Sequence, residues 1–217
     1  MNSTAMPMIP NLPPQCLERV RSLLADGRRK LLGLVGPPGS GKSTLASALR
    51  QTFPADSQIV PMDGFHLANS ELVRQGLRHR KGAPETFDAA GYAALLQRFR
   101  HQRADETIYA PEFERALEEP IAGAIAVHAT TRLVITEGNY LLLDGAPWSS
   151  VAPLLDEVWY VDVDDALRTE RLLQRHERFG RSRQQALEWV ASVDEPNARL
   201  IERSRVRATL DFRWDAS

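Results

Sequence analysis

The chain has 217 residues, 43% of them hydrophobic and 25% charged, enough for one domain with a well-buried core or for one domain plus a small lid. Its formal net charge of −1 excludes the overall basic footprint of a nucleic-acid binder. Cys16 is the sole cysteine, which excludes an intrachain disulfide and a cysteine-based zinc cluster and suits a reducing compartment.

The first fifteen residues lack a basic stretch followed by an apolar core, and no apolar run reaches the roughly twenty residues that span a bilayer. The expectation is a cytoplasmic protein with no membrane and no nucleic-acid partner. Residues 1–14 read as a flexible tail and residues 15–217 as the folded domain.

In chain order, helical spacing over 14–25 precedes a short apolar strand over 31–35. Gly36, Pro37, Pro38, Gly39, Ser40, Gly41, Lys42, Ser43 and Thr44 follow at once, with Gly36, Gly41, Lys42 and Ser43 at the spacing of a phosphate-binding loop. Glycines let the backbone turn its N–H groups onto phosphate oxygens. Lys42 reaches the β- and γ-phosphates, and the Ser43 hydroxyl joins the shell of a magnesium ion. A helix predicted over 42–52, with Leu45 and Leu49 on one face, adds its positive N-terminal end.

A second strand over 58–62 ends at Asp63, where a carboxylate can take the proton of an acceptor hydroxyl or help position magnesium. Residues 64–88 fit no regular pattern and hold the basic cluster Arg78, His79, Arg80 and Lys81. A helix is predicted over 89–103, then a second irregular stretch over 108–126. Both excursions read as substrate-side insertions, with solvated surface loops as the alternative. A third strand over 133–136 ends at Glu137, placed to hold magnesium through water or to bind a substrate hydroxyl.

A fourth strand, 158–163, leads into a helix over 165–178 that carries Arg168, Arg171, Arg175 and Arg178 on one side. Gly180 reads as a hinge or helix stop, with Arg181 and Arg183 beyond it. A long helix over 183–203 and a weak strand over 209–214 complete the pattern. Strands alternating with helices predict an α/β fold: a three-layer, mostly parallel five-stranded sheet with helices on both faces and an arginine-rich lid over 168–185. Ligands then sit beyond the carboxyl ends of the strands. His66 reads either as a substrate contact or as a loop hydrogen-bonder. Trp148, Trp159, Trp189 and Trp214 read as scattered packing residues, and no protein-bound transition metal is expected.

Taken together, residues 36–44, Met62-Asp63-Gly64-Phe65-His66, the string from Arg80 to Asp88, Thr136-Glu137-Gly138-Asn139-Tyr140 and Pro196-Asn197-Ala198 resemble a known group. It is the superfamily of uridine kinase, phosphoribulokinase and bacterial pantothenate kinase, and the likeness is closest to its nucleoside/nucleotide kinase-like, or fructose-transport-system kinase, branch. The resemblance implies a P-loop NTPase fold, ATP, magnesium and γ-phosphoryl transfer to a hydroxyl of a small metabolite: a sugar, a nucleoside or a pantothenate-like compound. It also implies Asp63 as catalytic aspartate, Lys42 as phosphate-binding lysine, Ser43 and Glu137 toward magnesium, Arg171 and Arg175 as lid arginines and Asn197 beside the adenine. Arg80 and Lys81, with His66, are the acceptor-side candidates. A homodimer is one assembly left open.

Two departures bear on the substrate. Gly64 and His66 stand where uridine kinases usually carry Ser and Tyr, and the chain is shorter than pantothenate kinases of the matching type. The alternatives are a nucleotide-dependent switch or ATPase without a small acceptor, and a non-catalytic nucleotide-binding module. The missing Asn-Lys-x-Asp and Leu-Ser-Gly-Gly motifs weigh against the switch.

Overall fold

The computed structural model describes residues 12–213. In chain order its regular elements are α1 (Pro14–Leu24), β1 (Lys30–Val35), α2 (Lys42–Thr52), β2 (Ser57–Ile59), α3 (Asn69–Arg74), α4 (Ala89–Arg100), β3 (Thr107–Glu114), β4 (Glu119–His128), β5 (Leu133–Glu137), β6 (Glu157–Asp162), α5 (Asp165–Arg178), α6 (Arg183–Trp189), α7 (Glu195–Glu202) and β7 (Leu210–Arg213).

Strand β1 is buried from Leu31 onward, the signature of a strand covered on both faces. It forms the centre of a five-stranded sheet of order β2-β5-β1-β6-β7, and every neighbouring pair is parallel. Alternation along β1 splits the core in two. Leu32 and Leu34 pack with Ile135 and Trp159 against Cys16 and Val20 of α1 and Leu45 and Leu49 of α2. Leu31 and Val35 pack on the opposite face with Tyr92, Leu96 and Phe99 of α4. Each such large apolar side chain contributes about 1.5–3 kcal/mol on burial, against about 0–1 kcal/mol for an exposed ion pair, so these two faces hold the sheet. Burial also pushes the Cys16 thiol up to about 11, which makes it a packing residue and not a reactive one.

The parallel α/β architecture matches the sequence reading, and three stretches differ from it. Residues 108–126, read as irregular, lie almost wholly in the antiparallel hairpin β3–β4. Ile108, Ala110, Ile125 and Val127 alternate inward onto the α4 face of the core. Pro111 sits at a register shift between Ala110 and Glu112, where a strand tolerates a missing N–H. Residues 64–88 start within a short 3₁₀ turn, Met62–Phe65, and contain α3 and two more such turns at Arg78–Arg80 and Pro84–Thr86. The single helix predicted over 183–203 is α6 and α7 joined by a π-helical turn, Val190–Asp194.

Other boundaries move little. β2 stops at Ile59, but the Val60 N–H still donates to the Ile135 carbonyl at 2.8 Å, so the chain runs beside β5 up to the Asp63 turn. Of the predicted tail, residues 1–11 lie outside the described residues, Leu12 packs against the core and Pro14 opens α1. Trp214 also lies outside them. Among the described residues no helix is long and apolar enough to cross a membrane.

Candidate active site

The loop between β1 and α2 curls over the carboxyl end of the sheet. Gly41 adopts φ 93° as it caps α2, a conformation that favours glycine. A Cβ on Gly36 would meet the Val161 carbonyl at 2.6 Å, so a side chain there collides with backbone of β6's exit. Pro38, Gly39, Gly41, Lys42, Ser43 and Thr44 line a cleft of about 600 Å³, while Gly36, Pro37 and Ser40, expected beside them, are buried and do not line it. The Lys42 ammonium donates to the carbonyls of Gly36 at 2.8 Å and Pro37 at 3.0 Å. Its burial lowers its pKa to about 8, partly offset by the charges of Glu137 and Asp63.

The two predicted strand-end carboxylates face this loop across the same cleft. Glu137 closes β5, in register with Leu34 of β1, and its Oε1 accepts from the Ser43 hydroxyl at 2.9 Å. Burial first, and then the nearby Asp63 charge, raise its pKa above the ordinary carboxylate value, against the pull of Lys42 and Ser43. Asp63 stands in the 3₁₀ turn after β2, and its Oδ2 accepts from the Arg115 guanidinium at 3.3 Å. That pair is exposed enough to contribute only about 0–1 kcal/mol.

Arg115 reaches Asp63 from the tip of the β3–β4 hairpin, which also supplies Phe113 and Glu118 to the wall. Sequence reasoning missed all three, although it flagged the stretch as an excursion over the strand ends. His66 sits between the rings of Phe87 at 4.0 Å and Phe113 at 4.6 Å, and its Nδ1–H donates to the Asp63 carbonyl at 2.7 Å. Burial holds its pKa below the usual histidine value despite the Asp63 charge, so near pH 7 it is a neutral donor that braces the Asp63 turn. Lys81 is buried, donates to the Asn69 Oδ1 at 2.8 Å and to the Glu118 carbonyl, and lies 5.0 Å from the Phe113 ring. Arg80 differs from the expectation: its guanidinium pairs with Glu85 at the surface, and Arg78 is the arginine that lines the cleft.

Gly64 now has a physical explanation. A Cβ there would lie 2.3 Å from the Pro111 carbonyl, so the hairpin docks against the Asp63 turn only because the residue after Asp63 lacks a side chain. Gly64→Ala is expected to cost about 1–3 kcal/mol, a Tm drop of roughly 2–4 °C for each kcal/mol. Thermal melts check this, and an unchanged Tm would show that the hairpin yields freely.

Helices α5, α6 and α7 with the π-helical turn form the other side of the cleft. Asp164 caps α5, its Oδ1 accepting from Ala166 N–H at 2.9 Å and Leu167 N–H at 3.2 Å. Gly180 (φ 93°) turns the chain after α5, and a Ser182–Gln185 capping box restarts it as α6. Of the arginine stripe, Arg171 and Arg175 line the cleft. Arg168 is buried against Glu195 at 2.6 Å and Asp165 at 3.2 Å, a structural position. Arg178 is exposed outside the cleft. Asn197 lines the cleft from α7, next to the π-helical turn that carries Asp194. Asp194 Oδ2 lies 2.7 Å from His176 Nε2, Arg181 donates to His176 Nδ1 at 2.8 Å, and the Arg181 guanidinium sits 3.8 Å from the Trp189 ring. Trp189 is therefore cleft wall and not distant packing.

A parallel sheet with a phosphate loop at its centre, carboxylates beyond β5 and β2 on one side of it and arginines on a helix across the cleft defines the class of P-loop phosphotransferases. The profile of the phosphoribulokinase / uridine kinase family matches residues 31–213. A candidate uridine kinase of Schizosaccharomyces pombe is 37% identical over 199 residues, covering 87% of this chain and 84% of that protein. The ATP-dependent kinase YFH7 of Zygosaccharomyces rouxii is 30% identical over 223 residues, covering 87% of this chain and 59% of that protein. The crystal structure of a candidate fructose transport system kinase from Silicibacter sp. TM1040 superposes with a TM-score of 0.79 at 38% identity, covering 90% of this chain and 98% of that one. The chain belongs to the phosphoribulokinase / uridine kinase family and is an ATP-dependent small-molecule kinase.

Proposed function

We propose that the chain transfers the γ-phosphoryl group of ATP to a hydroxyl of a small metabolite of the sugar, nucleoside or pantothenate-like kind. The observation that carries this reading is the convergence of Lys42, Ser43, Asp63 and Glu137 on one cleft whose far wall belongs to a different part of the chain. A bare nucleotide switch has no need of that second, aromatic and cationic wall.

In this reading Lys42 leaves the loop carbonyls for the β- and γ-phosphates, and the α2 N-terminus adds its positive end. Ser43 and Glu137 offer hydroxyl and carboxylate oxygens 2.9 Å apart, a donor set suited to magnesium. Among the described residues no cluster of three or more His, Cys, Asp or Glu is placed to hold a metal. Most ligands of a magnesium ion here would then be phosphate oxygens and water, and the ion would neutralise phosphate charge. Asp63 accepts the proton of the acceptor hydroxyl as its oxygen bonds to the γ-phosphorus and the bond to the β,γ-bridging oxygen breaks, releasing ADP. Arg171 and Arg175 neutralise charge on the transferring group, and Asn197 borders the adenine.

ADP formation from Mg-ATP across ribo- and deoxyribonucleosides, hexoses, pentoses, sugar phosphates and pantothenate tests the reading. One acceptor class should raise the rate at least about tenfold over slow hydrolysis, in line with completion of the site by the acceptor. Hydrolysis indifferent to every acceptor would instead favour the switch reading.

A further inference from the structure

The acceptor side of the cleft carries more positive than negative charge once Asp63 is reserved for the hydroxyl. Arg78, Lys81 and Arg115 all line it. Lys81 is already committed to Asn69 and Glu118. Arg78, by contrast, makes no ion pair among the described residues, although it lines the cleft close enough to feel the like charge of Lys81. Arg115 has one carboxylate partner, Asp63 itself, at 3.3 Å. While Arg115 occupies the Asp63 carboxylate, an acceptor hydroxyl has to compete with the guanidinium for the same oxygens.

Building on the proposed kinase reading, we infer that the acceptor carries an anionic group, a carboxylate or a phosphate, held between Arg78 and Arg115. The anion replaces Asp63 as the partner of Arg115 and so frees the Asp63 carboxylate for the acceptor hydroxyl. The Asp63–Arg115 pair is long at 3.3 Å and its arginine is exposed, so it is weak, which makes the exchange of partners easy. The planar guanidinium of each arginine suits an oxyanion, whereas the buried Lys81 serves to hold the hairpin tip to the 78–82 segment. Recognition and activation are then one event: a neutral acceptor leaves Asp63 paired with Arg115, and an anionic one releases it. This also gives Arg115, on the hairpin that the sequence pattern hid, a role in choosing the substrate.

The test compares neutral and anionic members of matched pairs in ADP formation: uridine against its monophosphate, ribose and fructose against their monophosphates, glycerol against glycerate, and pantothenol against pantothenate. The anionic member of the preferred pair should exceed its partner in kcat/KM by about ten- to a hundredfold, the factor that hydrogen bonds to a charged group typically carry. Arg115→Gln and Arg78→Gln should each collapse that ratio toward one, and Arg115→Lys should restore part of it. Both arginines are surface side chains, so the variants are expected to fold, and circular dichroism melts verify this. The phosphate and carboxylate arms identify which anion is used. A neutral acceptor that wins, with Asp63-dependent turnover, overturns the inference and leaves the kinase reading standing. An anion preference that survives in both glutamine variants also overturns it. Absence of any Asp63-dependent turnover throughout the panel would instead bring down the proposed function, and the inference with it.

Discussion

Asp63→Asn is expected to lower kcat by about 10²–10⁴-fold, the range that a positioned general base contributes, while ATP binding and the fold persist. Asparagine keeps the shape and still accepts a hydrogen bond from Arg115, but it takes no proton. Weakening the exposed Asp63–Arg115 pair removes at most about 1 kcal/mol, so the melting temperature should move by no more than roughly 2–4 °C. The competing base would be Glu137. Its position argues against that: it accepts from the Ser43 hydroxyl beside the phosphate loop, so its carboxylate is already engaged on that side of the cleft. Nucleotide binding by calorimetry and turnover with the best acceptor, compared between wild type and variant, decide the matter. Turnover near the wild-type rate would remove Asp63 from the chemistry and return attention to Glu137.

The parts of this molecule that could be read from its sequence are those governed by burial and local spacing. Buried parallel strands are apolar runs, and so β1, β5 and β6 stand out, with the shorter run over 58–62; the residue after such a run is at the face where ligands bind, which is why Asp63 and Glu137 are legible in the sequence. The hairpin escaped because Pro111 and Pro120 interrupt its alternation and its turn is charged, and proline inside a run argues against a strand unless a register shift accommodates it. The Arg80 expectation misplaced its side chain for a related reason. Arg78 and Arg80 occupy one 3₁₀ turn of three residues, so their side chains diverge by about 120°, and charge alone does not say which one faces the cleft. The break between α6 and α7 lies at a π-helical turn that contains no glycine, and its one sequence signal is Pro196, which stands in the first turn of α7 where a proline is tolerated. In each case the missing information was tertiary: which wall a turn docks against.

Lys42→Met is expected to inactivate the enzyme and to make the nucleotide-free protein more stable. The inactivation follows from the loss of the lysine that stands on the phosphate loop itself, an effect of at least about 10²-fold when a single preorganised donor to a developing anion is removed. The stabilisation follows from burial. A lysine whose pKa falls from the ordinary 10.5 to about 8 carries a charging penalty in the folded state of roughly 3 kcal/mol at neutral pH. Methionine fills similar volume without that penalty, but it leaves the Gly36 and Pro37 carbonyls without their donor. A net gain of about 1 kcal/mol, and a Tm higher by roughly 2–4 °C, is the expected balance. The pH dependence supplies the sign. Between pH 8 and 10.5 the unfolded chain holds the Lys42 proton and the folded chain does not, so wild-type stability should rise with pH through that window relative to the variant. Cys16 acts in the opposite sense above pH 9, because its folded-state pKa near 11 keeps a proton that the unfolded thiol releases, but this contribution is common to both proteins and cancels in the difference. Saturating ATP should flatten the Lys42 slope, since phosphate charge restores the ammonium's preference for its proton. Denaturant melts of both proteins at pH 7, 8 and 9, with and without ATP, read all of this at once. A variant less stable than wild type, with a parallel pH profile, would mean that the loop carbonyls solvate Lys42 well enough to make its charge costless, and the phosphate loop would then owe its shape to the lysine instead of enduring it.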